Sequence, residues 1–101
     1  MRKEINISLL NRIFDSRVRL GIMSALMVND QVSFNELKEL LDITDGNLAS
    51  HLKALEETKY LIVYKGFIGR KTNTTYSVTK NGAKAFKEHL EQLEKIIKGL
   101  N

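Results

Sequence analysis

Residues 43–61 read ITDGNLASHLKALEETKYL, and the two sides of the helix they predict are unlike. Leu48, Leu52 and Leu55 fall at i, i+4 and i+7, a single apolar face. Pointing away from it are Gly46, Ser50, Lys53, Ala54 and Glu57, with Asn47 on the flank. The first two turns of this outer side hold short or hydrogen-bonding side chains and no long acidic one. Glu57 comes only toward the C-terminal end. Thr44 suits the N-cap and Asp45 the positive first turn, so a helix is expected over 44–58.

Immediately upstream, SFNELKELLD opens with Ser33 three residues before Glu36, the reciprocal pattern of a capped helix start. Phe34, Leu37, Leu40 and Leu41 are expected to be its buried stripe. Only about three residues separate this helix from the next, and a pair joined that tightly makes a helix-turn-helix over 33–58. Further back, SRVRLGIMSALM sets Val18, Ile22, Ala25 and Leu26 on one face of a first helix that ends near VND.

Downstream the period changes. YLIVYKGF and TTYSVT are rich in β-branched and aromatic residues, and IGRKTN between them is turn-like and basic. A β-hairpin with a charged tip is expected over 61–79. TKNGAKAFKEHLEQLEKIIKGLN then returns to helix, over 80–100. Its apolar residues Ala83, Phe86, Leu90, Leu93, Ile97 and Leu100 follow a heptad seam, narrower than a core-facing stripe. There is no proline, linker-like composition or repeat, so one domain over residues 1–101 is expected. The fold class is mainly α with a small β-hairpin wing (α+β): a winged helix-turn-helix with terminal helices forming a dimer interface.

The formal charge is +4, but its distribution says more than its total. From His51 to Lys87 eight basic residues face only Glu56 and Glu57, a local +6 on a remainder of −2. A basic segment on a mildly acidic body suits a polyanion. In a winged helix the second helix of the pair enters the DNA major groove and presents residues near its N-terminus to base edges. That groove, about 12 Å wide, admits outward side chains that are modest or able to hydrogen-bond. The low polar face of 44–58 has that character.

The run TDGNLASHLKALE, followed by a hairpin containing GRKTNTTYSVT and then NGAKAF, resembles the small winged-helix transcriptional regulators related to the MarR and ArsR groups. The resemblance extends over nearly the whole chain. It implies a dimeric DNA-binding regulator, usually a repressor, with a recognition helix and a wing; paired recognition helices across a twofold axis would read a pseudo-palindromic operator. It further implies recognition positions at Asp45, Gly46, Asn47, Ser50, His51 and Lys53, with wing contacts from Arg70 and Lys71. His51 lies at the edge of the apolar stripe, where a structural hydrogen bond competes with base reading. Lys53 has Glu56 and Glu57 as competing partners. ArsR-type sensors carry cysteine ligands and this chain has no cysteine, so metal sensing is not carried over.

Other function classes fare poorly. GFIGRKT lacks the spacing of a phosphate loop and falls in a hairpin rather than between strand and helix. His51 and His89 have no histidine at helical spacing, so no metal site is expected. No serine lies in a nucleophile elbow, and Asp15, Asp30 and Asp42 sit where caps and turns use them. We expect no catalytic residues, no cofactor and no enzymatic activity. Without cysteine, a bilayer-spanning apolar run or a signal-peptide pattern, a cytoplasmic protein is expected.

The seam also predicts a partner. Leu93, Ile97 and Leu100 lie beyond a compact winged helix, and the N-terminal Ile5, Ile7, Leu9, Leu10 and Ile13 share the need for cover. Dimerisation is expected through Leu9, Leu10, Ile13, Leu90, Leu93, Ile97 and Leu100, the competing arrangement being intramolecular pairing of the two ends. The competing function is a winged-helix protein-interaction module that binds DNA weakly or not at all. The sequence identifies neither an operator nor a small-molecule effector.

Overall fold

The computed structural model describes residues 4–99. The chain runs through α1 (Arg17–Met27), β1 (Val32–Ser33), α2 (Phe34–Leu41), α3 (Asp45–Glu57), β2 (Leu61–Ile68), β3 (Lys71–Val78) and α4 (Lys80–Lys98). The strands form one antiparallel sheet in the order β1-β3-β2. Among the described residues no helix is long and apolar enough to cross a membrane.

The helix-turn-helix forms through its caps. The Ser33 hydroxyl accepts from the Glu36 amide, and the Glu36 carboxylate accepts from the Ser33 amide, both at 3.1 Å. α2 ends at Asp42, which takes a left-handed conformation (φ 50°), one that short polar side chains tolerate. Ile43 and Thr44 complete the turn, and the Thr44 hydroxyl accepts from the Asn47 amide to cap α3. Lys38 of α2 pairs with Asp45 at 2.7 Å, tying the two helices across the turn. Of the stripe expected on α2, Leu37 is buried and Phe34 and Leu41 are half-buried, but Leu40 is exposed. In an eight-residue helix the first three share a face, and Leu40 falls at its margin.

Leu48, Leu52 and Leu55 of α3 are 0, 1 and 0% exposed. They join a core with Ile22, Met23 and Leu26 of α1, Leu37, Leu61, Tyr76, Phe14 and Phe86. Burial of each leucine contributes about 1.5–3 kcal/mol. Arg19 adds two hydrogen bonds, one fastening α3 to α1 and one fastening α1 to the segment before it. Its Nε donates to His51 Nδ1 at 3.1 Å, and its Nη1 donates to the Ile13 carbonyl at 2.9 Å.

The hairpin is tighter than its sequence suggests. β2 and β3 pair without interruption from Leu61 with Val78 to Ile68 with Lys71, leaving Gly69 and Arg70 as the turn. Gly69 has φ +63°, and a glycine of positive φ at the first central position lets strands pair right up to a two-residue turn. Ile68, Lys71, Thr72 and Asn73, expected in the turn, therefore belong to the strands. β1, too short to show a period, pairs Val32 with Tyr76 and Ser33 with Thr75. It roots the hairpin at the start of α2.

α4 begins against the turn that follows α3. The Thr79 amide donates to the Tyr60 carbonyl at 3.0 Å, and the Thr79 hydroxyl donates to the Lys59 carbonyl at 2.8 Å. The same hydroxyl accepts from the Gly82 amide and caps α4. A Cβ on Gly82 would stand 2.3 Å from the Tyr60 carbonyl oxygen, so only glycine allows this approach. The buried stripe of α4 is Gly82, Phe86 and His89, rotated from the heptad seam and meeting it at Phe86.

The N-terminal end differs from expectation. Of the terminal helices expected, the C-terminal one is α4. Among the described residues the N-terminal end instead forms a turn closed by the Leu10 amide on the Ile7 carbonyl, and the 3-10 turn Arg12–Phe14 before α1. Ile5, Ile7 and Leu9 alternate with polar residues at period two rather than 3.6, and the Asn11 side chain accepts from the Ile13 amide to start the turn. Phe14 is buried among three rings, with centroids 5.6 Å from Tyr60, 5.3 Å from Phe86 and 5.1 Å from His89. The Asn11 amide donates to His89 Nδ1, and its side-chain nitrogen donates to the Tyr60 hydroxyl.

Two consequences are measurable. Gly82→Ala should destabilise by about 3 kcal/mol, because backbone must retreat from backbone. Thermal unfolding should then show a melting temperature lower by roughly 10–20 °C. Burial, and secondarily the adjacent Arg19 charge, hold His51 below its ordinary pKa of 6.5. The unfolded chain therefore takes up more protons in the window just below 6.5. The stability that neutral His51 contributes is complete above that value and is lost as pH falls toward the lowered folded pKa. Denaturant titrations between about pH 8 and 5 should show this loss, and His51→Gln, which cannot protonate there, should lack that component.

Candidate nucleic-acid interface

With its leucines buried, α3 shows solvent the face formed by Asp45, Gly46, Asn47, Ser50 and Lys53, all exposed. The fold uses these residues unequally. Asp45 is held by Lys38, and the Ser50 hydroxyl turns back to the Asn47 carbonyl at 3.0 Å, leaving its lone pairs outward. The side chain of Asn47 has no hydrogen-bond partner among the described residues. Gly46 needs neither a special φ nor space, since a Cβ there would meet nothing within 4 Å. A glycine in a helix costs about 0.5–1 kcal/mol relative to alanine, and here the fold supplies no compensation.

His51 stands apart from this group. It is half-buried and its Nδ1 accepts from Arg19, the structural hydrogen bond that competed with base reading. Lys53 forms no ion pair with Glu56 or Glu57 among the described residues. Its ammonium projects free from the third turn.

The wing supplies a second charged element. Arg70 occupies the second turn position and Lys71 begins β3, both exposed and without ion-pair partners among the described residues. From residue 58 to 87 there is no aspartate or glutamate. Planar guanidinium groups and unpaired ammonium groups at such a tip suit phosphate oxygens. A recess lined by Phe34, Asn35, Thr72, Asn73 and Thr74 joins the first turn of α2 to the wing. Sequence reasoning missed Asn35 and Asn73 there, and also the exposed Ala49 on α3, because neither charge nor periodicity marks them.

The residues expected to dimerise divide into two groups. Ile13 packs against the core of its own chain, and Leu10 is half-buried. Leu9, Leu90, Leu93 and Ile97 remain exposed, as do Ile5 and Ile7, with Ile97 at 76%. Leu100 lies outside the described residues. The segment before α1 thus meets the middle of α4 through Asn11, Phe14 and His89, while Leu90, Leu93 and Ile97 of the seam stay exposed.

Known proteins share this arrangement. A model of the winged helix DNA-binding domain matches residues 18–97. An uncharacterized protein of Methanocaldococcus jannaschii is 37% identical over 89 residues, covering 88% of this chain and 97% of that protein. Among solved structures, a transcriptional regulator homologue from Pyrococcus horikoshii is 34% identical with a TM-score of 0.81, over 90% of each chain. A MarR-family protein from Enterococcus faecalis shares the fold at 19% identity, with a TM-score of 0.72 over 82% of this chain and 74% of that one. By the family match over residues 18–97, the chain belongs to the winged helix DNA-binding domain family.

Proposed function

We propose that the protein is a sequence-specific transcriptional regulator, a repressor in its default role, which binds a pseudo-palindromic operator as a homodimer. The observation that carries this reading is the exposed face from Gly46 to Lys53 of α3, opposite a fully buried leucine stripe. Asn47, Ser50 and Lys53 are the base and near-base contacts of α3 in the major groove, with Asp45 and Gly46 at its mouth. Asparagine suits the paired donor and acceptor of adenine, serine either partner of a base pair, and lysine a guanine edge or a phosphate. His51 contributes through its Arg19 bond by fixing the rotation of α3 and reaches DNA only with its outer edge. Arg70 and Lys71 take the backbone or the minor groove.

The dimer follows from what a monomer leaves uncovered. Leu90, Leu93 and Ile97 line one side of α4, and Leu9 is a further exposed apolar side chain. In the proposed dimer these residues and Leu100 meet their equivalents across a twofold axis, with Leu10 and Ile13 supporting them from behind. Two recognition helices would then address half-sites about 34–36 Å apart.

Selection from random duplex DNA at two salt concentrations tests the reading directly. An inverted repeat should be enriched, and affinity should fall steeply as salt rises. Arg70→Ala should weaken binding about equally on all sequences, whereas changes at Asn47 or Ser50 should alter which sequence is preferred. Gly46→Ala should leave thermal stability unchanged or raised by up to about 1 kcal/mol, yet reduce operator affinity. Salt-sensitive binding without enrichment would replace the regulator by a backbone-reading architectural protein, and no binding at low salt by a protein-interaction module. For the dimer, sedimentation should give twice the chain mass, and Ile97→Glu should give a monomer. An unaltered protein that sediments as a monomer at micromolar concentration would sink the twofold arrangement.

A further inference from the structure

The wing tip carries more than charge. Phe67 and Ile68, the last residues of β2 before the turn, are 73 and 69% exposed. Their cross-strand partners are Thr72 and Lys71, and neither residue belongs to the core or packs against it. Phe67 shares a face of β2 with Lys65, two residues back, and lies opposite the short Thr72, so its ring stands clear of the strand. Lys65 stands on its face, Arg70 follows in the turn and Lys71 projects from the opposite face beside Ile68, with no acidic residue within the 58–87 stretch.

A large ring held in water at the end of a two-residue turn stabilises nothing in the monomer. The tip instead combines one compact apolar group with several cations. Duplex DNA offers the complement, with phosphates on the outside of a narrow groove and apolar base faces within. We infer that Phe67 is a wedge, entering a base-pair step from the minor groove while Lys65, Arg70 and Lys71 hold the flanking phosphates, so that the bound duplex is kinked. This rests on the DNA-binding reading above. Apolar side chains that enter a step partly unstack it and bend the duplex by about 20–90°. Pyrimidine–purine steps such as TpA yield most easily, so the wedge adds a preference for flexible steps at positions where no base edge is read.

The test uses the full chain and the duplex recovered by selection, labelled at its ends with a donor and acceptor dye and carrying 2-aminopurine at its TpA steps. The unaltered protein should shorten the end-to-end distance and brighten the 2-aminopurine. Phe67→Ala should melt at the same temperature, bind about tenfold more weakly and do neither. Phe67→Leu, which keeps an apolar wedge, should retain most of the bend. A straight duplex under the unaltered protein, or an equal bend under Phe67→Ala, would overturn the wedge and leave the regulator reading intact. Failure of the unaltered protein to bind any duplex would overturn both. The wedge is equally overturned if Phe67→Ala leaves DNA binding unchanged but abolishes self-association in sedimentation, or abolishes binding to vesicles of anionic lipid. Phe67 would then belong to a protein interface or a membrane contact.

Discussion

Complete burial of three leucines on one side of α3 is the constraint on which the rest of the molecule depends. A helix sunk along one face has no rotational freedom left, so the direction of its other face is decided by packing rather than by polar residues. Leu48, Leu52 and Leu55 are closed over by α1, α2 and the base of the hairpin. A turn of α3 about its axis would drag at least one leucine into water, at about 1.5–3 kcal/mol each. The bond from Arg19 to His51 adds a directional restraint to a fit that apolar contact alone leaves non-directional.

Around that helix the remaining elements are joined at a few short-range points. The residues after α3 serve three neighbours at once: the Lys59 and Tyr60 carbonyls receive Thr79, the Tyr60 backbone lies against Gly82, and the Tyr60 ring stacks on Phe14. A disturbance there is felt by α3, by both hairpin strands and by the start of α4. The pairing of β1 with β3 performs the corresponding task at the other end of the helix-turn-helix. The hairpin and α3 are therefore referenced to the same small frame, which fixes the orientation of their exposed faces relative to one another.

Much of this was legible in residues whose signals are local. The Ser33–Glu36 box, the Thr44 cap, the leucine stripe of α3 and the change of period after Tyr60 each identify an element from a few neighbours in sequence. What escaped depends on contacts distant in sequence. Phe14 is the centre of an aromatic cluster because residues 60, 86 and 89 arrive around it, and nothing in LNRIFDS announces them. The tightness of the wing turn depended on the conformation of Gly69, whereas composition around it suggested a longer loop. The N-terminal apolar residues were read only as groups needing cover, and the bond from the Asn11 amide to His89 that ties this segment to α4 was not legible. Of the candidate interface, the residues on α3 were legible as a periodic face, while Asn35 is brought to the wing only by tertiary structure.

The division of labour on α3 also bears on how such a protein changes over time. Asn47, Ser50 and Lys53 support no packing, and Gly46 satisfies no backbone demand. Surface positions of this kind tolerate substitution within about 0.5 kcal/mol of stability. A lineage can therefore exchange these side chains one at a time while the buried leucines keep the helix in register, so the fold outlasts any particular composition of its exposed face. The same separation makes the chain a natural scaffold for redirected binding, since the positions to randomise are those that folding leaves idle.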